Sequence, residues 1–594
     1  MKLSDYVAAF LAAQGVRHVF AVSGGASLHM IHSVADRPDI DFICPQHEQG
    51  GAMAADGYAR ITGNLGVAIG TSGPGATNMI TGICSSYYDS VPVLYLTGQV
   101  ATFRNKSDTG VRQLGFQETD IVPMCRPITK YAATVGEAAM IRYELEKAVH
   151  IARSGRPGPV LIDLPDDLQR AQIDPATLRG YDPPVEVPEL APLARSAAEC
   201  AALIAKARRP VVILGWGVRL AKAEGEVRRL IEQLGAPVVP SWGMVDFLPA
   251  AHPLSVGTFG THGTRYGNFT VQNSDLILSI GCRLDTHEVG SPFSHFGRGA
   301  AKVIVDIDPA ELGKFERFGM QVDLPVAADA RDFATALLAE KPSVDAGALT
   351  IWWKKVRAWK SDFPIVQDFY RDQNTLNPYV FVDALSDAAR EDDIVVVDTG
   401  CAVAWMSQAF RAKEGQRYMH AFNNTPMGYA LPAAIGAAFA SGAPRVICVA
   451  GDGSMQMNVQ ELATVIRHNL PIKIFLLNNH GFSMIQQTQD QWLGSKYYAS
   501  SVEGGLGFPD WIALARAYGF STHTIASNEA ALREVAAILD APGPAFVNVE
   551  LESKERVIPQ VKFGRPIEDS EPLLDRKRFL AAMIVEPVPA SLEP

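Results

Sequence analysis

The chain has 594 residues, of which 47% are hydrophobic and 20% charged, and its 53 Lys and Arg against 64 Asp and Glu give a net charge of −11. This length is too great for one hydrophobic core and predicts about three domains. The apolar runs fall short of the roughly 18 residues needed to cross a bilayer, so we expect no membrane span. The negative charge argues against a nucleic-acid partner and favours a small-molecule substrate.

The first residues and the cysteines give two further expectations. The start, Met1 to Tyr6, enters an amphipathic pattern with an acid at position 5, unlike a secretory or transit peptide, so a cytoplasmic location is expected. The seven cysteines are scattered without a C-x-x-C pair, which indicates neither a disulfide framework nor a zinc site.

Two stretches have the composition of linkers, residues 181–188 and 341–347, and they divide the chain into thirds. Each third repeats short β-branched runs, Gly-rich turns and segments with helical periodicity. Continuous apolar strands that end at glycines predict parallel sheets covered by helices on both faces. The expected class is therefore α/β, with three doubly wound parallel-sheet domains. The predicted segments are an N-terminal domain at 1–180, a middle domain at 190–340, a C-terminal domain at 350–560 and a tail at 561–594.

A candidate site for a metal and a diphosphate begins with Asp452, which lies between Gly451 and Gly453 at the end of a predicted strand. The glycines let the backbone approach a diphosphate closely, and the carboxylate offers a hard oxygen to Mg²⁺. Asn479, at the end of the next predicted strand, would add an amide oxygen and Gly481 a backbone carbonyl. The Gly-Asp-Gly tripeptide alone could equally be a tight turn, but its spacing to the second strand end favours the Mg²⁺ site.

The stretch from Gly451 to Asn479 resembles the cofactor motif of thiamine-diphosphate enzymes, and residues 455–464 look like the acetohydroxyacid synthase (acetolactate synthase) branch of that family. The resemblance implies a transferase or lyase that uses thiamine diphosphate and Mg²⁺ to decarboxylate pyruvate and to join the two-carbon fragment to a carbonyl acceptor. The family completes each active site across a subunit boundary, which implies a homodimer or homotetramer. By the same resemblance, Ser454 and Met484 belong to the cofactor site.

Glu48 is the candidate for proton transfer. It follows a predicted strand at 41–44 and opens a helix rich in Ala and Gly. Its segment resembles the family motif in which a glutamate hydrogen-bonds to the aminopyrimidine ring of the cofactor and promotes loss of the thiazolium proton. Such a glutamate must be shielded from water. Alone, Glu48 could be an ordinary first-turn acid stabilised by the helix dipole, but the C-terminal motif favours the catalytic role.

Two turns at predicted strand ends, residues 23–26 and 71–78, support the N-terminal match. The residues assigned to cofactor binding in these turns are Gly24, Gly25, Ser72, Gly73, Gly75 and Asn78. By resemblance, Phe116 would wall the donor site and Gln117 would hydrogen-bond an intermediate, although the pair could equally be a core and a surface residue. Met427 stands where the family puts a bulky apolar side chain beneath the cofactor, and the alternative for it is core filling.

The middle third resembles the flavin-binding domain of acetolactate synthase, in which FAD has a structural role. Turns at strand ends can bind a dinucleotide, with acids reaching the ribose hydroxyls. The residues assigned to this site are Arg156, Gly215, Gly217, His262, Gly263, Arg283 and Asp306. Where the synthases show Asp-Asp-Arg, this chain has Asp285, Thr286 and His287, so a vacant or differently occupied site is an alternative to FAD.

The chain departs from the synthases near the acceptor. Thr488 stands where they carry a Trp that narrows the pocket to a 2-oxo acid, and Cys401 and Ala402 replace a Gln-His pair. A wider pocket agrees with the related carboligases of branched-sugar (yersiniose-type) biosynthesis, which add the two-carbon unit to a ketone of a nucleotide sugar. The expected acceptor is therefore a 2-oxo acid or a larger ketone such as a keto-sugar. The alternative function is a 2-oxo acid decarboxylase or a pyruvate oxidase-type enzyme.

Overall fold

The structure is a computed structural model that describes residues 1–184, 190–442 and 444–592. Of the predicted linker at 181–188, residues 185–188 lie outside the described residues, as do 593–594 of the predicted tail. The described part contains three sheets of six, five and six strands, and every pairing between their strands is parallel. The predicted α/β class with three parallel sheets is confirmed. Within the described residues, no helix combines the length and the apolarity that a membrane span requires.

The N-terminal sheet has the strand order β2-β1-β3-β4-β6-β5. Its strands are β1 His18–Ala21, β2 Asp41–Ile43, β3 Gly66–Gly70, β4 Val93–Gln99, β5 Tyr131–Thr134 and β6 Val160–Pro165. The α-helices around it are Leu3–Ala13, Leu28–Ala35, Glu48–Thr62, Pro74–Asn78, Ile80–Tyr88, Ile121–Cys125, Ile141–Arg153 and Asp166–Gln169. Strand order reverses between β1 and β3, and such a switch point is where open α/β sheets bind ligands.

The middle sheet has the order β11-β10-β9-β7-β8, with its switch point between β7 and β9. Its strands are β7 Pro210–Leu214, β8 Val238–Pro240, β9 Leu276–Ile280, β10 Ala301–Asp306 and β11 Leu324–Ala327. The α-helices of this part are Leu190–Lys206, Gly217–Leu220, Glu224–Leu234, Arg265–Gln272, Thr286–Val289, Pro309–Arg317 and Ala330–Ala339.

The C-terminal sheet has the order β13-β12-β14-β15-β17-β16, the same winding as the N-terminal sheet. Its strands are β12 Ile394–Val397, β13 Arg417–Met419, β14 Val446–Gly451, β15 Ile472–Asn478, β16 Ser521–Ile525 and β17 Ala545–Glu550. The α-helices from the middle sheet to the chain end are Ala346–Asp362, Asp368–Arg371, Pro378–Ala388, Cys401–Ala409, Ala430–Ser441, Asp452–Met457, Leu462–Arg467, Ser483–Trp492, Trp511–Tyr518, Asn528–Asp540 and Arg576–Ala582. The segment that follows strand β17 contacts the middle domain. There, the Asn268 side chain donates to the carbonyl of Ile567 at 2.8 Å.

The N- and C-terminal domains share one apolar core because two small-residue helices cross there. A Cβ added to Gly436, on the helix Ala430–Ser441, would lie 1.9 Å from the carbonyl oxygen of Ala54 on the helix Glu48–Thr62. Beside this crossing, the buried Arg60 bridges Asp56 and Asp89 at 2.6 Å each. The helix that begins at Glu48 is therefore held by a domain other than its own.

Candidate active site

Glu48 starts its helix directly after strand β2. Its carboxylate accepts a hydrogen bond from the side-chain amide of Asn78 at 2.9 Å. A Cβ placed on Gly75 would lie 3.3 Å from the Glu48 Oε1 atom, so the glycine leaves room for the glutamate. Glu48 is half-buried. The structure thus brings three of the predicted residues together at the strand ends of the N-terminal sheet.

The turns after β1 and β3 form a wall beside Glu48. A Cβ on Gly24 would lie 2.4 Å from the Thr71 Cβ, so no side chain fits at position 24. Gly73 has a φ of +62°, and a Cβ there would lie 2.9 Å from the carbonyl oxygen of Gln117. Gly24 therefore makes room for the Thr71 side chain, and Gly73 for the backbone of Gln117.

Phe116 and Gln117 lie on a surface loop that Glu118 holds together. The Glu118 carboxylate accepts from three backbone N–H groups of the loop at 2.7, 2.8 and 3.0 Å. Burial opposes ionisation, but these hydrogen bonds hold the pKa of Glu118 below its ordinary value. Phe116 is 85% exposed and is therefore no core residue of the single chain, whereas Gln117 is half-buried against Gly73.

Asp452 follows strand β14 and lies against the turn after β15. Its Oδ1 accepts from the N–H of Gly453 at 2.6 Å and its Oδ2 from the N–H of Gly481 at 3.1 Å. Burial raises the pKa of Asp452 to about 6, and none of the ion pairs in the described part of the chain includes it. Asn479 is buried nearby and donates to the Ser483 hydroxyl. The three residues predicted to hold a metal thus lie together.

Met427 and Met484 border the same turn. A Cβ on Gly453 would lie 2.1 Å from the Phe482 ring and 3.0 Å from the Met427 Cε, so position 453 admits only glycine. The Met484 Cβ lies 4.0 Å from a Cβ added to Gly400, whose φ is +77°. Phe482 was not among the predicted site residues, because a Phe after a strand end carries no distinguishing pattern.

The remaining predicted residues of the two six-stranded sheets differ in their surroundings. Ser72 and Ser454 are buried, whereas a Cβ added to Gly25 or Gly451 would meet nothing within 4 Å.

Sequence reasoning also missed Asp398, which follows strand β12 and accepts from the N–H groups of residues 428 and 430 at 3.1 and 2.8 Å. An Asp at a strand end was the available signal.

These residues form two half-sites, the Glu48–Asn78 group of the N-terminal domain and the Asp452–Asn479–Gly481 group of the C-terminal domain. Among the described hydrogen bonds of Glu48 and Asn78, none reaches Asp452, Asn479 or Gly481. One half-site lies at the switch point of the N-terminal sheet and the other at the corresponding point of the C-terminal sheet.

A cleft opens at the switch point of the middle sheet. Residues of all three domains line it, and those predicted from the sequence are Arg156, Gly215, Gly217, Arg283 and Asp306. His262 and Gly263 do not line it. His262 is buried behind His287, with the two rings 5.0 Å apart, and burial followed by the neighbouring His287 lowers the pKa of His262 to about 3.

Glycines and a charged cluster shape this cleft. A Cβ on Gly215 would lie 2.2 Å from the carbonyl oxygen of Gly281, so the ends of β7 and β9 approach each other backbone to backbone. Arg156 and Arg283 both pair with Glu311, at 2.8 and 3.0 Å. Both guanidinium groups are therefore oriented by one carboxylate at the rim of the cleft.

Comparison with known proteins identifies the family of each domain. Residues 1–124 match the N-terminal TPP binding domain of the thiamine pyrophosphate enzymes, residues 197–337 their central domain and residues 398–549 their C-terminal TPP binding domain. The chain is 33% identical to the acetolactate synthase isozyme 1 large subunit of Escherichia coli over 94% of this chain and 96% of that one.

Two relatives from other kingdoms match as well. The chain is 34% identical to acetolactate synthase 3, chloroplastic, of Brassica napus, over 96% of this chain and 86% of that one. It is also 34% identical to the probable acetolactate synthase large subunit of Methanocaldococcus jannaschii, over 95% and 94%. The chain belongs to the acetolactate synthase family of thiamine-diphosphate enzymes. As a member of this family it is an enzyme of the carboligase type, and its two outer domains are of the kind that binds thiamine diphosphate.

Proposed function

We propose that the protein decarboxylates pyruvate and transfers the two-carbon unit to a carbonyl acceptor. The observation that carries this proposal is the pair of half-sites at equivalent switch points, one with an oriented glutamate and one with a buried carboxylate in a glycine turn. When bound, thiamine diphosphate supplies the electron sink that permits loss of carbon dioxide from a 2-oxo acid.

Asp452, Asn479 and the carbonyl of Gly481 would hold Mg²⁺ and, through it, the diphosphate. The fit rests on the burial of Asp452, whose pKa is raised to about 6, because a cation would stabilise the buried carboxylate. The described residues contain no cluster of three or more His, Cys, Asp or Glu that could cage a metal. A site with one carboxylate leaves positions for phosphate oxygens, which is the arrangement Mg²⁺ favours.

Glu48 would hold and move the proton at the cofactor's aminopyrimidine ring, with Asn78 fixing the direction of its carboxylate. We expect Glu48→Gln to lower turnover by about 100-fold or more while cofactor binding, followed by calorimetry, stays unchanged. Full activity in this variant would remove Glu48 from the mechanism.

Two copies of the chain would complete each site, as a homodimer or a homotetramer. The test mixes Glu48→Gln with Asp452→Asn, both expected to be inactive alone. If each site takes Glu48 from one chain and Asp452 from the other, random reassembly restores about a quarter of the activity. No recovery in verified mixed dimers would place both residues in a site within one chain.

The middle cleft would bind FAD. The strand-end glycines that line it suit a diphosphate, and Asp306 lies at the end of β10, where an acid reaches ribose hydroxyls. His287, in place of the arginine of the synthases, lines the cleft and makes a different occupant the alternative. An absorbance spectrum and mass analysis of the released ligand decide this, since flavin is expected and another nucleotide would refute FAD.

The acceptor would be a 2-oxo acid or a larger ketone such as a keto-sugar. Thr488 is exposed on the helix after the metal turn, and its hydroxyl donates to the Met484 carbonyl at 3.1 Å, so this position carries a small side chain where the synthases carry a Trp. We expect turnover with pyruvate and a ketone acceptor such as a keto-sugar. Thr488→Trp should lower that reaction selectively, and an unchanged acceptor preference would refute the assignment.

Product analysis tests the proposal as a whole. Incubation with pyruvate alone should give acetolactate or acetoin. Acetate or hydrogen peroxide as the main product would overturn carboligation in favour of oxidation.

A further inference from the structure

Glu461 is a buried carboxylate of the C-terminal domain that lies beneath the start of the Glu48 helix. Its Oε1 accepts hydrogen bonds from the backbone N–H groups of Gln46 and His47 at 3.0 and 3.1 Å. Its Oε2 accepts from the Thr464 hydroxyl at 2.8 Å, and the side chain is fully buried. The two N–H groups just before Glu48 therefore find their acceptor in another domain.

The helix start is shaped around this carboxylate. A Cβ on Gly50 would lie 2.5 Å from the Glu461 Oε1 atom, so the first turn carries a glycine where the carboxylate enters. His47 caps the same turn by accepting from the N–H of Gln49 at 3.1 Å. Backbone, cap and carboxylate thus fix one position for the start of the helix.

Asn458 adds a second contact from the same segment. Its amide donates to the carbonyl of Gly428, beside Met427, at 2.8 Å, and its Oδ1 accepts from the Gln49 side chain at 3.4 Å. This segment follows the helix Asp452–Met457 without a break. Asn458 and Glu461, which follow the Asp452 helix, therefore both contact the start of the Glu48 helix.

We propose that Glu461 is a positioning residue for Glu48, which it orients by holding the backbone N–H groups of Gln46 and His47. The inference rests on the proposed role of Glu48. A buried N–H group without a partner is costly, so removal of the acceptor lets the helix start move. A displacement of about 1 Å at a proton-transfer group can cost about 100-fold in rate.

The test compares Glu461→Ala with Glu461→Gln in the enzyme loaded with thiamine diphosphate and Mg²⁺. The rate at which the C2 proton of the bound cofactor exchanges in D₂O is read by acid quench and NMR. We expect Glu461→Ala to slow exchange about 10- to 100-fold with unchanged cofactor affinity. Glu461→Gln keeps an acceptor oxygen and should stay within about threefold of the wild type.

Two outcomes overturn the inference directly: normal exchange in Glu461→Ala, or an equal loss in Glu461→Gln, which would assign the effect to charge. Glu568→Ala is the control for loss of a buried carboxylate elsewhere, since Glu568 is equally buried but contacts Gln272 and Arg298 of the middle domain at 2.6 and 2.8 Å. Its exchange should be normal, and a similar loss would trace the effect to stability. Normal exchange in a parallel Glu48→Gln variant would mean that the proposed role of Glu48 itself fails.

Discussion

Substitution of Gly436 by alanine tests the contact between the two helices that join the outer domains. The added Cβ would lie 1.9 Å from the carbonyl oxygen of Ala54, and ordinary van der Waals contact requires the helices to separate by about 1 Å or more. Backbone faces backbone there, so no side-chain rotation relieves the overlap. We expect overpacking to lower the free energy of unfolding by about 3 kcal/mol, the upper part of the usual range. Improved helix propensity should restore about 1 kcal/mol of it.

Gly313 provides the matched control. It lies in the helix Pro309–Arg317, it is exposed, and a Cβ added there meets nothing within 4 Å. Gly313→Ala should therefore stabilise the protein by about 0.5–1 kcal/mol. Urea denaturation of both variants at one protein concentration, followed by tryptophan fluorescence, gives the comparison. A Gly436→Ala protein as stable as the wild type would refute the close approach of the two helices.

Three further outcomes follow from buried charges. Burial raises the pKa of Glu461 from its ordinary 4.5 to about 7, so its stabilising contribution is full below 4.5 and lost as pH rises through 7. Glu461→Gln should then exceed the wild type in stability by about 3 kcal/mol well above pH 7, and a parallel pH dependence of the two proteins would contradict this. Arg60→Met leaves Asp56 and Asp89 unpaired and should cost about 3–5 kcal/mol in the same urea assay, whereas a neutral effect would count against a tight ion cluster. Chelation of Mg²⁺ should release thiamine diphosphate, because the anionic Asp452 carboxylate and the anionic diphosphate have no cation left to bridge them. Retention of the cofactor in EDTA, measured after gel filtration, would argue against a metal-bridged diphosphate.

Local sequence patterns predict the fold class of this protein and the positions of its candidate metal ligands. The predicted strands are unbroken apolar runs that end at Gly or Asp. This pattern predicts the parallel α/β class, since only strands buried on both faces have unbroken apolar runs. The same rule locates Asp452 and Asn479, because carboxyl ends of parallel strands meet at one edge of a sheet. The match of all three domains to thiamine-pyrophosphate enzymes confirms what those short motifs predicted.

Tertiary structure alone decided the relations between distant segments. Gln46 and Glu461 are 415 positions apart, and nothing in either local pattern indicates that one accepts from the other. The exposure of Phe116 and the burial of His262 behind the cleft are likewise outcomes of packing.

The reason is physical. Periodicity and turn chemistry act over a few residues and determine which strand ends carry a carboxylate, an amide or a bare glycine. Which of those ends face each other depends on strand order and on the crossing of two small-residue helices. The sequence thus determined the family and the chemical groups of each half-site, and only the folded chain determined that the buried Glu461 of the C-terminal domain accepts from the backbone just before Glu48.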